Sequence, residues 1–207
     1  MISGGQMRQA AWTATRPPGN PHRMILLRHG QSEFNLRFTA TRRDPGIEDA
    51  RLTEYGHHQA EHAARKLADE KITRIIASPY TRALQTAEPL ARRLGLKIEI
   101  RPIVRERFGL ACDVGTPRSR LTNAWPAHDF SHIEEKWWPD EHETPVAVTD
   151  RAKVFRQQMT GESDWPETVV VSHWGFILCM TGQSIANGEI IRCDPTGPLP
   201  EQVIWRA

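Results

Sequence analysis

Short apolar runs alternate with stretches of helical periodicity along most of this chain, and that alternation limits the folds open to it. Five runs are predicted strands: Met24–Leu27, Thr73–Ala77, Lys97–Ile100, Thr168–Ser172 and Gln202–Trp205. Strands that alternate with helices form parallel sheets whose two faces are covered by those helices. The sequence therefore predicts an α/β fold, a three-layer αβα sandwich around a mostly parallel central sheet.

Two of the intervening segments show clear helical spacing. In the first, apolar residues recur on one helix face at Ala60, Ala63, Ala64 and Leu67. This spacing predicts an amphipathic helix over about residues 53–70, with Thr53 as its N-cap. The same spacing recurs over residues 83–94, and Gly95 is placed to end that second helix. Pro89 lies inside the second helix and is expected to kink it.

The chain departs from this alternation at two places. Residues 1–22 contain several glycines and prolines and no apolar core, so they are expected to form a polar N-terminal extension to a single domain over residues 23–207. Between about residues 107 and 147 the periodicity breaks down, which is typical of a lid or binding loop inserted in a compact domain. This insertion contains three tryptophans, Trp125, Trp137 and Trp138. We expect them to pack as a small core of the insertion; the alternative is that they line a substrate cleft. Two arginines of the insertion are candidates to hold a second anionic group: Arg118 and Arg120.

Composition excludes several classes of protein. The 27 Lys and Arg residues nearly balance the 25 Asp and Glu residues, and no long basic run occurs, so no nucleic-acid partner is expected. The longest apolar runs fall far short of the ~20 residues that cross a bilayer, so no membrane association is expected. Three scattered cysteines are too few for a disulfide framework, which favours a cytoplasmic location: Cys112, Cys179 and Cys193.

Polar clusters directly follow three of the predicted strands. They are Arg28-His29-Gly30, the segment from Ser78 to Arg82, and Ser172-His173. In an open parallel sheet, ligands bind in the crevice outside the carboxyl ends of the strands. We therefore expect these three clusters to converge on one site, although they are far apart in the sequence.

The same clusters resemble the signature blocks of the histidine phosphatase superfamily, in the branch similar to cofactor-dependent phosphoglycerate mutases. Arg28-His29-Gly30 resembles the Arg-His-Gly signature of that family. Three further blocks match in the same order: Leu52-Thr53…Gly56…Gln59-Ala60, Ser78-Pro79…Arg82-Ala83 and Val171-Ser172-His173. One tripeptide is a weak signal, but four ordered blocks across about residues 24–186 are a specific one.

This resemblance implies roles for the polar residues. Neutral His29 would attack phosphorus and form a phosphohistidine. Arg28, Arg82 and a protonated His173 would surround the phosphoryl oxygens, and their charge would lower the pKa of His29. Further candidates to bind the phosphate are Ser32, Asn35 and the backbone N–H of Trp174. The first two could equally be helix-capping residues.

The resemblance also implies a carboxyl group that protonates the leaving alcohol and later activates water. Glu106, shortly after the third predicted strand, is the candidate, and Asp113 is the reserve. A related branch of the family carries an Asp immediately after the second histidine, and the mutase-like branch usually carries Gly there. This chain has Trp174 at that position, whose indole is expected to narrow the pocket.

The predicted function is therefore hydrolysis of a small phosphorylated substrate through a phosphohistidine. The alternatives are mutase-type phosphoryl transfer, since the segment from Glu106 to Gly109 partly resembles a mutase block, and an inactive phosphate-binding module. No cofactor or metal is expected, because no nucleotide-binding loop occurs and two histidine pairs lack a third ligand. These pairs are expected at the surface: His58 with His62, and His128 with His132.

Overall fold

The computed structural model describes residues 23–201 and 203–205, so the predicted extension over residues 1–22 lies outside the described residues. A five-stranded sheet forms its centre, in the order β3-β2-β4-β1-β5. The strands are β1 (Met24–Arg28), β2 (Arg74–Ala77), β3 (Ile98–Ile100), β4 (Thr168–Ser172) and β5 (Ile190–Cys193). The helices of the described chain are α1 (Glu33–Thr41), α2 (Glu54–Leu67), α3 (Thr81–Leu94), α4 (Arg118–Ala124), α5 (Pro145–Thr160) and α6 (Trp174–Thr181).

The register of the parallel strands determines where the polar clusters lie. β1 pairs with β4 from Ile25 opposite Val169 to Arg28 opposite Ser172. β2 runs parallel to both β4 and β3, whereas β5 lies antiparallel to β1 at the sheet edge. Because β1 and β4 end at the same level, the residues that follow them emerge side by side.

Alternate residues of the inner strands supply the two faces of the sheet. In β1, Ile25 and Leu27 join a core with α2 and α3 on one face. Met24 and Leu26 join a second core with α5 and α6 on the other face. Successive side chains of a strand point to opposite faces, so strands buried on both faces are apolar throughout. The predicted αβα sandwich is therefore confirmed.

The prediction of a C-terminal strand at Gln202–Trp205 was wrong. Val203–Trp205 is not in a strand, and Gln202 lies outside the described residues. The fifth strand is instead Ile190–Cys193, a short edge strand that is only half-buried, which leaves little periodicity to detect. The apolar character of the C-terminal segment has another cause, since Val203 and Trp205 pack on the core formed by α5 and α6.

Both helices predicted from apolar spacing are confirmed. Thr53 caps α2 by accepting a hydrogen bond from the Gly56 N–H at 3.0 Å, and α2 ends at Leu67. α3 runs without interruption through Pro89 to Leu94. It ends at Gly95, whose φ of 66° is in the left-handed region that favours glycine.

The insertion between β3 and α5 packs on the same face of the sheet as α2 and α3. Four of its side chains belong to that core: Leu121, Phe130, Ile133 and Trp137. The Trp137 ring packs edge-on against the Tyr80 ring with centroids 4.7 Å apart, and Trp125 and Trp138 are half-buried beside the core. The tryptophans therefore pack, as the favoured alternative predicts.

The surface prediction holds for the first histidine pair and for His132, which is exposed, but it is wrong for His128. His58 and His62 are exposed on α2, but the His128 side chain is only 7% exposed and lies 3.1 Å from a Glu88 carboxylate oxygen. His132 Nε2 lies 2.7 Å from the Ile100 carbonyl oxygen. The segment with His128 and His132 thus makes polar contacts with Glu88 and with the outer strand β3. Helical spacing alone does not predict these contacts.

In the part of the chain that the structure describes, no helix combines the length and the apolar character needed to cross a membrane. Over the same residues, no three His, Cys, Asp or Glu side chains cluster as the ligands of a metal ion would.

Candidate active site

The predicted polar clusters meet at the carboxyl end of the sheet. The His29 N–H donates to the Ser172 carbonyl at 3.0 Å, which continues the β1–β4 pairing past the end of β1. The imidazole rings of His29 and His173 lie 5.0 Å apart between centroids. Arg82 enters from the first turn of α3, and all three side chains are buried. The expected convergence of the clusters is therefore observed.

His29 is held in one tautomer. Its Nδ1 lies 2.7 Å from the Gly30 carbonyl oxygen, so this nitrogen carries the proton and Nε2 keeps its lone pair. Burial lowers the pKa of His29 well below its ordinary value, and the charges of Arg82 and Arg28 lower it further. A neutral imidazole with an available Nε2 is a competent nucleophile toward phosphorus.

Two glycines allow the loop after β1 to lie against the start of α2. A Cβ at Gly30 would come within 2.4 Å of the Gly56 carbonyl oxygen. A Cβ at Gly56 would come within 2.1 Å of the Gln31 carbonyl oxygen. Because both obstacles are backbone atoms that cannot move aside cheaply, larger residues would push the His29 loop away from α2.

Two amide side chains that sequence reasoning did not assign also hold this loop. The Gln31 N–H donates to Gln59 Oε1 at 2.7 Å, and Gln59 Nε2 donates to the Asn187 carbonyl at 2.8 Å. Asn187 Nδ2 in turn donates to the His29 carbonyl at 3.0 Å. The Asn187-Gly188 dipeptide is a recognisable turn signal, but nothing local shows that the turn reaches His29.

Arg28 and His173 present buried polar atoms toward the site. Arg28 donates through one terminal nitrogen to the Ile185 carbonyl at 2.7 Å. Its Nε and the Nδ1 of His173 are buried without a hydrogen-bond partner among the described residues. An unpaired buried polar group costs about 1–3 kcal/mol. Phosphoryl oxygens would give both groups partners.

The protonation expected for His173 is not what its surroundings favour. Its Nε2 lies 2.6 Å from Ser78 Oγ. Burial lowers the pKa of His173 well below its ordinary value, and the Arg82 charge lowers it further. Without a phosphoryl group, these surroundings favour the neutral imidazole, and protonation of His173 beside the substrate stays a prediction. A phosphoryl dianion beside the ring would oppose this shift by favouring the imidazolium.

The structure gives Ser32 and Asn35 the capping role that the sequence left open. Ser32 Oγ accepts from the Asn35 N–H at 3.2 Å, and Asn35 Oδ1 accepts from the Ser32 N–H at 3.2 Å, which makes a capping box at the start of α1. Asn35 Oδ1 also accepts from Asn187 Nδ2 at 3.2 Å, so Asn35 keeps its Nδ2 hydrogens as donors. Trp174 begins α6, where backbone N–H groups have no helical acceptor. Phosphate contacts by these three residues remain predictions.

The candidate acid Glu106 lies against the start of α6. The Gly175 N–H approaches both of its carboxylate oxygens, at 2.9 and 3.2 Å, and the Arg107 N–H donates to one of them at 2.8 Å. Burial raises the pKa of Glu106, Asp113 raises it further, and the Arg107 N–H opposes the rise. A raised pKa suits a carboxyl group that must give up a proton near neutral pH.

The reserve candidate Asp113 is engaged elsewhere. Its carboxylate lies 3.2 Å from an Arg82 guanidinium nitrogen, and accepts from the Gly109 and Leu110 N–H groups at 3.2 and 3.0 Å. A carboxylate paired with a buried guanidinium is poorly disposed to deliver a proton to a leaving group, whereas the hydrogen bonds described for Glu106 come from backbone N–H groups. The geometry therefore favours Glu106 over Asp113 as the acid.

Arg151, which sequence reasoning missed, holds the backbone that carries Glu106. From α5 it donates to the carbonyls of Ile103, Arg105 and Glu106 at 2.9, 2.8 and 3.2 Å. It also pairs with Glu143 at 2.9 Å, and only a tenth of each side chain is exposed. No local pattern links an arginine at this position to a loop about 46 residues earlier.

Replacement of Arg151 with alanine should destabilise the protein by about 3 kcal/mol, because it leaves Glu143 and three carbonyls without this partner. Chemical denaturation followed by far-UV circular dichroism measures the change. Lys153→Ala, an exposed residue on the same helix that pairs with Asp150, is the matched control and should change stability little. An Arg151→Ala protein as stable as the control would show that these Arg151 contacts contribute little to the free energy of unfolding.

A neutral buried histidine, two arginines and a buried carboxyl group at the carboxyl end of a parallel sheet define a class of phosphoryl-transfer proteins that work through histidine. The family comparison agrees with this class. The chain belongs to the histidine phosphatase superfamily (branch 1), whose family model matches residues 24–191. The family predicted from the four sequence blocks is therefore confirmed.

Similar proteins carry phosphatase and mutase names. The chain is 32% identical over 174 residues to the glucosyl-3-phosphoglycerate phosphatase of Mycolicibacterium vanbaalenii, which covers 77% of this chain and 72% of that protein. It is 43% identical over 83 residues to the "Probable phosphoglycerate mutase GpmB" of Photorhabdus laumondii, but this covers only 40% of the chain and 37% of that protein.

Solved structures show the same fold. A mycobacterial glucosyl-3-phosphoglycerate phosphatase aligns with a TM-score of 0.53 and 27% identity, over 76% of each chain. A vanadate complex of a mycobacterial enzyme of the same name aligns with a TM-score of 0.59 over 83% of this chain and 90% of that one, at 23% identity. These structures show the fold, and the longer-matching relatives, together with the family match, support the prediction of a phosphatase of this superfamily.

Proposed function

We propose that this protein hydrolyses small phosphomonoesters, with His29 as the nucleophile and Glu106 as the general acid and base. The observation that carries the proposal is the His29 tautomer. Nδ1 donates to the Gly30 carbonyl at 2.7 Å, which leaves Nε2 unprotonated, and the charges of Arg82 and Arg28 help to keep the ring neutral. A buried histidine whose pKa is strongly lowered by burial and by specific charged neighbours is a candidate functional residue.

The first step forms a phosphoenzyme. His29 Nε2 attacks phosphorus, a P–N bond forms, and the bond from phosphorus to the ester oxygen breaks. Arg28, Arg82 and His173 stabilise the charge on the three remaining phosphoryl oxygens. Glu106 gives its proton to the departing alkoxide, which leaves as an alcohol.

The second step releases phosphate. Glu106, now a carboxylate, takes a proton from a water molecule, and the water oxygen attacks phosphorus. The P–N bond breaks, His29 recovers its neutral form, and Glu106 is again protonated. One carboxyl group thus serves both steps, which requires a pKa near the working pH. The burial that raises the pKa of Glu106 supports this assignment.

The side of the site where Glu106 lies is also where the leaving alcohol must emerge. Trp174 and Trp205 pack edge-to-face there with centroids 5.5 Å apart. The Arg107 guanidinium lies 4.8 Å over the Trp205 ring. Aromatic surface beside a cation suits an alcohol that carries both carbon surface and a carboxylate. The relative from Mycolicibacterium vanbaalenii is named as a phosphatase of glucosyl-3-phosphoglycerate. We therefore propose that the substrate is the phosphate ester of an alcohol that also carries a carboxylate.

Parallel assays of hydrolysis and isomerisation test the proposal. Phosphate release is measured from glucosyl-3-phosphoglycerate, 3-phosphoglycerate and an aryl phosphate. Isomerisation of 3-phosphoglycerate is followed with and without 2,3-bisphosphoglycerate. We expect phosphate release that needs no primer. Primer-dependent isomerisation faster than hydrolysis would instead make the protein a mutase, and phosphate binding without turnover would make it a binding module.

Arg82→Ala should lower kcat by about a hundredfold to a thousandfold, the usual loss for one electrostatic contact to a transition state. Arg92→Ala on the same helix is the matched control, because Arg92 is 65% exposed and pairs with Glu61. Steady-state kinetics on an aryl phosphate measures both variants. Similar rates for the two would remove Arg82 from the phosphoryl-binding set.

We also propose a cytoplasmic location. Cys112, Cys179 and Cys193 are buried free thiols, and no disulfide is formed among them. Burial raises the pKa of the Cys193 thiol and therefore keeps it in the unreactive protonated form. Unpaired, unreactive cysteines are typical of proteins that work in a reducing compartment.

A further inference from the structure

The Arg82 guanidinium is held on several sides before any substrate is considered. One terminal nitrogen donates to the Cys112 carbonyl at 2.6 Å, and the other lies 3.2 Å from Asp113 Oδ1. The guanidinium carbon lies 4.2 Å over the Tyr80 ring. The Arg82 and Asp113 side chains are each only 3% exposed.

We propose that Asp113 is a positioning residue of this active site, whose carboxylate fixes the Arg82 guanidinium in the orientation that the transferring phosphoryl group requires. The proposal rests on the proposed function, since it assigns Arg82 to the phosphoryl oxygens. Asp113 itself acts through Arg82 and contacts no reacting atom.

The geometry of guanidinium makes such positioning effective. The group is planar and carries five N–H donors in a rigid fork. When two terminal N–H groups are bound to Cys112 and Asp113, the directions of the others are fixed as well. Displacement of a catalytic group by about 1 Å can cost about a hundredfold in rate. Orientation established in advance avoids that loss.

Asp113 is itself anchored by the turn that carries it. Its Oδ2 accepts from the Gly109 and Leu110 N–H groups, and its own carbonyl accepts from the Tyr80 hydroxyl at 2.5 Å. Burial raises the pKa of Asp113, while Arg82 and the two N–H groups oppose that rise. The Arg82 guanidinium and the two N–H groups are all donors, so the geometry is that of a carboxylate paired with a guanidinium.

The negative charge of Asp113 also acts on Glu106, the proposed acid. Three charged side chains act on Glu106 from the surrounding elements: Arg28 at the end of β1, Arg82 on α3, and Asp113 in the turn. α6 contributes the Gly175 N–H and the Cys179 thiol, whose pKa is raised by burial and by the Glu106 charge. Asp113 raises the pKa of Glu106, and the two arginines lower it. Removal of the Asp113 charge should therefore make Glu106 more acidic.

Asp113→Asn tests both consequences. We expect kcat to fall about tenfold to a hundredfold, because the amide cannot satisfy Arg82 and the two backbone N–H groups together. KM should not rise, since a negative charge near the substrate dianion is lost. The high-pH limb of kcat/KM on an alkyl phosphate should move to lower pH. A purely structural role would lower kcat without moving that limb, and this outcome or an unchanged kcat would overturn the proposal.

Asp49→Asn is the matched control for charge. Asp49 lies beside the start of α3, where it accepts from the Thr81 N–H and the Thr116 hydroxyl at 2.8 and 2.5 Å. It makes no hydrogen bond to the Arg82 guanidinium in the described chain. Its removal should leave the pH limb close to that of the wild type. An equal shift in both variants would mean that Asp113 acts only as a distant charge, which contradicts the proposal.

Tyr80→Phe keeps the test decisive if Asp113→Asn does not fold. It preserves the ring beneath Arg82 and removes only the hydrogen bond to the Asp113 carbonyl. We expect kcat to fall about fivefold with little change in KM, the effect of one hydrogen bond. An unchanged kcat would overturn the proposal. Failure of the proposed function would instead be recognised in the wild type, as absent phosphate release and no phosphohistidine on His29.

Discussion

His29→Ala is expected to abolish phosphate release, with a loss of roughly four to six orders of magnitude in kcat, as for removal of other catalytic nucleophiles. The reason is covalent, since the P–N bond of the proposed first step forms on His29 Nε2 and cannot form there without the imidazole. Phosphate release from an aryl phosphate measures the loss, because such a substrate needs little help from the acid.

The control and the intermediate make this experiment specific. His58→Ala removes an exposed histidine on α2 and should leave kcat unchanged. Wild-type protein quenched during turnover should carry an acid-labile, base-stable phosphate, and mass spectrometry of peptides should place it on His29. Phosphate on another residue, or turnover by His29→Ala close to that of the control, would contradict the mechanism.

The sheet and the central pair of histidines could be predicted because local sequence determines them. Apolar runs such as Val169–Val171 show which strands are buried on both faces, and the carboxyl ends of parallel strands share one edge. His29 and His173 follow two such ends, so their approach was predictable without any knowledge of the loops. The edge strand β5 was missed because four half-buried residues carry little periodic signal.

The groups that support the site were not predictable, because their partners are distant in the chain. Asn187 reaches the His29 carbonyl across 158 residues, and Arg151 reaches the Arg105 carbonyl across 46. Asp113 illustrates the same limit. Sequence reasoning could mark it as a carboxyl group near the acid, but its pairing with Arg82, 31 residues away, depends on how the insertion folds.

The protonation states of His29 and His173 could be predicted only in part. Resemblance alone implies a neutral His29 and a charged His173, yet burial favours the neutral form of both imidazoles. The difference arises because desolvation acts on every buried ionisable group, whatever its later role. A bound substrate dianion would raise the pKa of His173 and so favour its protonated form. Only then would the His173 imidazolium interact with the phosphoryl oxygens as a cation.

The second large effect is expected from Glu106→Gln, and its size should depend on the leaving group. Gln keeps an oxygen that can accept from the Gly175 N–H, which lies 2.9 Å from Glu106 Oε1, but it has no proton to give. General acid catalysis contributes about a hundredfold to ten-thousandfold. An alkyl phosphate should lose about that much, whereas an aryl phosphate should lose far less, because an aryl oxide departs without protonation.

The pH dependence of kcat/KM provides an independent test of the same assignment. Glu106 must be protonated to deliver its proton, so for alkyl phosphates kcat/KM should fall as the pH rises through the Glu106 pKa. Burial and Asp113 raise that pKa above the ordinary value of a glutamic acid, which places the fall at higher pH than an exposed carboxyl group would. In Glu106→Gln this limb should disappear, and the aryl phosphate should show little of it even in the wild type. Equal losses on both esters with the limb retained would transfer the acid role to another group, because a residue that only shapes the pocket has no reason to distinguish an alkoxide from an aryl oxide.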